Sequence, residues 1–110
     1  MLGEEARGRG KDVILAPGIN IKRTPACGRN FEYISEDPRL TSELAVPMVR
    51  GIETSDVAAC VKHFAMNNQE TERLWINVEA DERTMREIYS RHFRRLYKKR
   101  VQSRSWALII

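Results

Sequence analysis

Two short stretches of unbroken apolar residues divide this chain, Val13-Ile14-Leu15-Ala16 and Val57-Ala58-Ala59-Cys60-Val61. Each ends in an abrupt change of character, Pro17-Gly18 after the first and Lys62-His63-Phe64 after the second. Apolar runs of this length, closed by turn residues or charges, predict strands buried on both faces. Helical spacing fills the segments around them. Residues 3–10 read as the end of a helix stopped by Gly8 and Gly10. The Gly8-Arg9-Gly10 triplet is too short to cradle a phosphate, which needs the whole loop after a strand. Leu40, Leu44, Ala45, Met48, Val49 and Ile52 recur on one helical face, with Thr41 or Ser42 available as its cap. Pro47 predicts a kink there, because a proline in a helix interior costs about 3 kcal/mol. Asp81 is placed to cap a third helix, in which Met85, Ile88, Tyr89, His92, Phe93, Leu96 and Tyr97 form a continuous amphipathic stripe. Glu82 and Arg86 add an i,i+4 pair of the favoured polarity on that helix.

Between these elements lie two polar loops, one of about twenty residues after the first strand and one from Asn67 to Asp81 after the second. Loops this long are functional or disordered. Phe31, Tyr33 and the Asp37-Pro38 helix start favour order in the first. The order helix, strand, loop, helix, strand, loop, helix predicts an α/β chain with two parallel strands, flanking helices and long βα loops. Both loops follow the carboxyl ends of strands, where sites form in α/β barrels and in doubly wound sheets alike. The densest candidate is Gly28 to Pro38, GRNFEYISEDP, read with Lys62 and His63: a guanidinium, an ammonium and an imidazole delivered to the ends of two strands.

The 110 residues allow at most one domain or a piece of one, and 42% hydrophobic with 31% charged residues suit a water-soluble fold. There is no apolar run of membrane-spanning length, and Met1-Leu2 leads straight into Gly3-Glu4-Glu5, so a cytoplasmic protein is expected, with secretion of a longer protein left open. The net charge of +4 is unevenly placed: residues 1–89 hold 12 basic and 15 acidic residues, and residues 90–110 hold 7 basic and none acidic. Cys27 and Cys60 fit neither a disulfide framework nor a metal spacing and read as ordinary thiols, Cys60 in the core.

DVILAPGINIKRTPACGRNFEYISEDPRL, VAACVKHFAMNNQETER and DERTMREIY, in unbroken order from about Gly3 to about Tyr97, closely resemble the N-terminal barrel domain of glycoside hydrolase family 3, the β-glucosidase-like enzymes. The resemblance implies a fragment of a TIM-like (β/α)8 barrel, a fold of about 250 residues of which this chain would hold under half. It implies an exo-acting, retaining hydrolase of terminal β-D-glycosyl residues that needs no cofactor or metal. Carried over from the family's motifs, Arg29, Lys62 and His63 would bind hydroxyls of the terminal sugar of a β-glucoside or related oligosaccharide. Forked and charged donors suit vicinal hydroxyls. Glu32 would orient Arg29, and Glu70 and Arg73 would brace the second loop. Taken singly, Arg29 reads as a solvated loop charge and His63 as a structural histidine; only the joint pattern gives them a role.

Retaining glycosidases use a nucleophile and an acid/base carboxyl about 5–5.5 Å apart. In the family the nucleophile stands in a Ser-Asp-Trp-like segment. Here the only Ser-Asp pair, Ser55-Asp56, precedes the KHF strand and is followed by Val57. Glu32, Glu36, Asp37, Glu70 and Glu72 match neither role, so no catalytic residue is expected in this chain and no turnover from it alone. The family continues past the last helix with a strand like Val-Gln-Ser-Val-Met-Gly-Ala-Tyr-Asn, whereas this chain has Val101-Gln102-Ser103 followed by Arg104-Ser105-Trp106-Ala107-Leu108-Ile109-Ile110. The codons CGG TCA TGG GCG CTT ATA ATC encode those seven residues and, read two bases later, give Val-Met-Gly-Ala-Tyr-Asn. Residues 1–100 are therefore expected to be a partial family 3 domain and 101–110 a frameshifted tail, an expectation that incompatible codons in the coding DNA would end. Open sheet edges would favour self-association. Two other readings stay in play: a non-catalytic sugar-binding remnant, and a nucleic-acid-binding module built on Arg91, Arg94, Arg95, Lys98, Lys99, Arg100 and Arg104. A solvated helix face is the simpler account of that basic run, and no nucleic-acid motif accompanies it.

Overall fold

The computed structural model describes residues 1–99. The chain runs α1 (Leu2–Gly8), β1 (Val13–Ile14), a 3-10 turn (Asn30–Glu32), α2 (Pro38–Glu53), β2 (Ala58–Ala59), α3 (Glu82–Thr84), a π turn (Met85–Tyr89) and α4 (Arg91–Lys98). β1 and β2 pair in parallel, Val13 opposite Ala58 and Ile14 opposite Ala59. The pairing reaches further along the backbone, through Cys60 N–H to the Ile14 carbonyl at 2.8 Å and Lys62 N–H to the Pro17 carbonyl at 3.1 Å.

Helices cover one side of this pair. Ala6, Ile19, Ala45, Val46, Val49, Ile52, Val57, Ala59, Val61 and Leu96 form the core, with Ile14, Ala16, Ile34 and Phe93 packed against it. The first strand is therefore not buried on both faces as its composition predicts. Ile14 and Ala16 face the core, while Val13 and Leu15 are 47% and 55% exposed, because no described element lies against their side. The second strand comes closer to the expectation: Val57, Ala59, Cys60 and Val61 are all buried.

Two details of the helices also differ. The cap of α2 is Asp37, whose carboxylate accepts from the Arg39 amide at 2.7 Å with Pro38 in the first turn; Thr41 and Ser42 lie inside the helix and are buried. The buried face of α2 is Thr41, Ser42, Ala45, Val46, Val49 and Ile52. Leu40, Leu44 and Met48 flank it and stay 41–46% exposed. Smaller side chains occupy the face where α2 packs on α1, β2 and α4. Pro47 lies inside α2, where the sequence places it.

Asp81 caps the third helical region as predicted, accepting from the Thr84 amide at 2.8 Å, and Glu82 pairs with Arg86 at 2.6 Å. That region is not one continuous α-helix. Both the amide and the hydroxyl of Ser90 donate to the Met85 carbonyl, at 2.8 and 2.6 Å, which widens one turn into a π turn. The wider turn breaks the continuous stripe: Tyr89, His92 and Leu96 are buried, whereas Tyr97 is 66% exposed. Among the described residues no helix is long and apolar enough to cross a membrane. The expected tail, 101–110, lies outside the described residues.

Candidate functional site

Gly18 is the point at which the two strand-end loops meet. Its backbone bridges in parallel to Lys62 on one side and to Tyr33 on the other. A Cβ there would stand 2.8 Å from the Glu32 carbonyl oxygen, so glycine is what lets the GRNFEY segment lie against the strand end. The 3-10 turn then sets Arg29 and Glu32 on one side, three residues apart, and the Asn30 side-chain amide ties the turn to the Thr24 carbonyl at 2.8 Å.

All six residues singled out from the sequence belong to one connected network. The Glu32 carboxylate bridges two of them: Oε1 accepts from Arg29 Nη1 at 3.0 Å and Oε2 from Lys62 Nζ at 2.7 Å. Glu70 bridges two more, Oε1 accepting from Arg29 Nε at 2.8 Å and Oε2 from Arg73 Nη1 at 3.4 Å. His63 joins through Tyr33, whose hydroxyl lies 2.9 Å from Nδ1. Asn67 Nδ2 closes the ring by donating to the Tyr33 oxygen at 3.1 Å and to Glu70 Oε1 at 2.8 Å.

The charge states are set by these contacts. Burial pushes the Glu32 carboxyl up, but hydrogen bonds from Lys62 and Arg29 outweigh it and hold its pKa below the ordinary range. Glu70 is likewise opposed by burial and carried below its ordinary value by Asn67 and Arg29. The hydrogen bond to Glu32 raises the Arg29 pKa. Burial, reinforced by the Lys62 and Arg29 charges, lowers His63 to about 4, so its imidazole is neutral at pH 7. Burial raises the Tyr33 phenol, which keeps its proton. The site is thus three fixed cations, two ionised carboxylates already engaged by donors, and one neutral imidazole. It is rich in donors for a hydroxylated ligand. Its carboxylates each accept from two side chains or more.

Tyr33, Asn67 and Asn20 are the members that sequence reading did not assign to the site. Asn20 is 1% exposed; its side chain donates to the Asn67 carbonyl at 3.0 Å and accepts from the Asn67 amide at 3.1 Å. An asparagine between Ile19 and Ile21, both fully buried, was the signal that could have marked it. A cleft of about 770 Å³ adjoins the network, bordered by His63, Asn67, Arg73, Leu74 and Ile76. Arg29, Lys62 and Glu32 lie outside its lining. The basic residues of α4 stand elsewhere: Arg91, Arg94, Arg95, Lys98 and Lys99 line a cleft of about 560 Å³ with Arg39 and Glu43. Arg95 is paired there with Glu43 at 2.6 Å. Asp37, which the sequence places at the helix start, is the α2 cap.

The model of the glycosyl hydrolase family 3 N terminal domain matches residues 1–107. The chain is 50% identical over 108 residues to the thermostable beta-glucosidase B of Acetivibrio thermocellus, covering 98% of this chain and 14% of that protein. It matches a beta-glucosidase of Bacteroides ovatus with the same identity and coverage. The structure of beta-glucosidase 3B from Thermotoga neapolitana in complex with alpha-D-glucose superposes with a TM-score of 0.84 at 54% identity, over 88% of this chain and 14% of that one. The chain therefore spans about one seventh of the length of the relatives it matches. With both strand-end loops and the motifs they carry falling inside the match, the chain belongs to glycoside hydrolase family 3, within the N-terminal domain of that family of hydrolases.

Proposed function

We propose that this chain supplies the sugar-holding part of a β-glucosidase-like, exo-acting retaining glycosidase, with Arg29, Lys62 and His63 donating to hydroxyls of a terminal β-D-glycosyl residue. The observation that carries the reading is the Glu32 bridge, which fixes the Arg29 guanidinium and the Lys62 ammonium against one carboxylate at 3.0 and 2.7 Å. Ordered donors of different shape on rigid strand ends are what discrimination among vicinal hydroxyls requires. In this reading β1 and β2 are neighbouring strands of a (β/α)8 barrel, and Glu70 and Arg73 hold the second loop in register with the first. Likeness to a beta-glucosidase solved with glucose supports the substrate class.

Hydrolysis needs two further carboxyl groups, and neither Glu32 nor Glu70 is free to serve. The chain by itself is then a sugar-binding unit without turnover. Titration with glucose tests it: wild-type protein binds, Arg29→Ala binds at least about tenfold more weakly, and an aryl β-glucoside is not cleaved. Equal binding by both proteins ends the reading, and hydrolysis by pure protein ends the claim of inactivity. The exposed side of β1, with Val13 and Leu15, gives the chain an apolar surface for self-association, visible as a concentration-dependent mass in light scattering.

Phosphate binding by the α4 cleft is the second reading, favoured by the six cations that line it against the single carboxylate of Glu43. It requires retardation of random DNA that weakens steeply with salt. A salt-insensitive or absent shift removes it.

A further inference from the structure

We infer that Tyr33 is a positioning residue for His63: its hydroxyl donates to Nδ1, which holds the imidazole as the Nε2–H tautomer and makes it a donor to a sugar hydroxyl oxygen. The sugar in this statement rests on the function proposed above; the tautomer does not.

The protons around Tyr33 are few and their acceptors are fixed. Asn67 Nδ2 has two protons, and its partners use both: Glu70 Oε1 at 2.8 Å and the Tyr33 oxygen at 3.1 Å. Tyr33 has one proton to give and two acceptors within reach, the Asn67 carbonyl at 3.2 Å and His63 Nδ1 at 2.9 Å. Bonds donated by a hydroxyl to oxygen fall at about 2.5–3.0 Å, so the longer contact is a poor one. Both lone pairs of the Asn67 carbonyl are also already supplied, by Asn20 Nδ2 at 3.0 Å and by the Cys27 thiol at 3.7 Å. The phenol proton therefore goes to Nδ1. A neutral imidazole carries a single N–H, which must then sit on Nε2. The opposite assignment would force the phenol proton onto the distant, occupied carbonyl. The rings are held for this by an edge-on contact, with centroids 5.8 Å apart and planes at 79°. Gly18, bridged to Tyr33 and to Lys62, fixes the two segments in register.

The consequence is a division of labour between side chains that no charge argument supplies. Arg29 and Lys62 can only donate, and a histidine can do either. Tyr33 removes that ambiguity before any ligand arrives.

The experiment is a long-range ¹⁵N–¹H correlation spectrum of the imidazole nitrogens at pH 7 in the full chain. Only two histidines are present, so His92→Leu leaves the His63 ring alone in the spectrum. A pyridine-like Nδ1 with a pyrrole-like Nε2 supports the inference, and the reverse pattern overturns it. Tyr33→Phe should give a mixture of tautomers and weaken glucose binding about tenfold. An unchanged spectrum or unchanged affinity in a folded Tyr33→Phe protein overturns it as well. If that variant does not fold, the wild-type spectrum still decides. If glucose fails to bind the wild-type chain, the carbohydrate reading falls while the tautomer result stands on its own.

Discussion

Glu32 and Lys62 meet at 2.7 Å with side chains only 19% and 12% exposed, while the other oxygen of the same carboxylate holds Arg29. A carboxylate shared by two cations keeps both in place without an external counter-ion. Removing its charge leaves Lys62 desolvated and unpaired, and breaking such a pair costs more than the pair itself contributes. Glu32→Gln is expected to destabilise the chain by about 2–3 kcal/mol and to abolish glucose binding. Lys62→Met, which removes the buried ammonium instead, should cost less stability and lose binding equally. Urea titrations of the two variants rank them; an equal or opposite order would show that the bridge is not what orders the site.

Acid should weaken the fold well before the carboxylates titrate. His63 and His92 are both lowered to about 4 by burial. Their unfolded counterparts titrate near the ordinary value of 6.5. The unfolded chain therefore takes up protons that the folded one refuses. Stability from both groups is complete above pH 6.5 and is lost as pH falls from there toward 4, at about 1.4 kcal/mol per pH unit for each group. Below pH 4.5 the lowered Glu32 and Glu70 add to the loss in the same direction. Urea midpoints at pH 7, 6 and 5 check this; a midpoint that stays level across that range contradicts it.

His92 alone offers a second test. It is fully buried, its two ring nitrogens have no hydrogen-bond partner, and its ring lies 4.8 Å from that of Phe93. A polar ring without partners costs more than an apolar side chain of similar size in the same place. His92→Leu is expected to raise stability by about 1 kcal/mol at pH 7. It should also halve the slope between pH 6.5 and 5. A destabilised variant with an unchanged slope would mean that the imidazole is doing something the fold needs.

Much of the scaffold was legible because composition changes abruptly where the backbone does. Gly8 ends α1, Asp81 immediately precedes α3, and the charged Lys62-His63 follows shortly after β2. What stayed hidden depends on what lies beside an element. Leu40, Leu44 and Met48 are as apolar as Val49, yet only Val49 has a neighbour to bury it. Val13 and Leu15 are exposed for the same reason. The π turn rests on the Ser90 amide and hydroxyl both reaching back to the Met85 carbonyl, five residues earlier, and a serine there does not announce that in the sequence. Within the site, charged residues were visible and the neutral connectors were not. Tyr33 reads as one more aromatic and Asn67 as one more loop amide until their protons are counted.

The contact at Gly18 provides the most direct test of how the site is built. A methyl group there would meet the Glu32 carbonyl oxygen at 2.8 Å and the Tyr33 ring at 3.2 Å. The first of these is backbone and cannot rotate away. Gly18→Ala must therefore push the 3-10 turn off the strand end, carrying Arg29, Glu32 and Tyr33 with it, while Lys62 and His63 stay in the segment that follows β2. The expected cost is about 1–3 kcal/mol of stability, the range for overpacking a close contact. Binding should suffer more than stability, because ligand donors misplaced by about 1 Å lose most of their value. Gly51→Ala is the control, since nothing lies within 4 Å of the added methyl and its helix position favours alanine. If Gly18→Ala binds glucose as well as Gly51→Ala does, the two loops are not coupled through that residue and the site is assembled in another way.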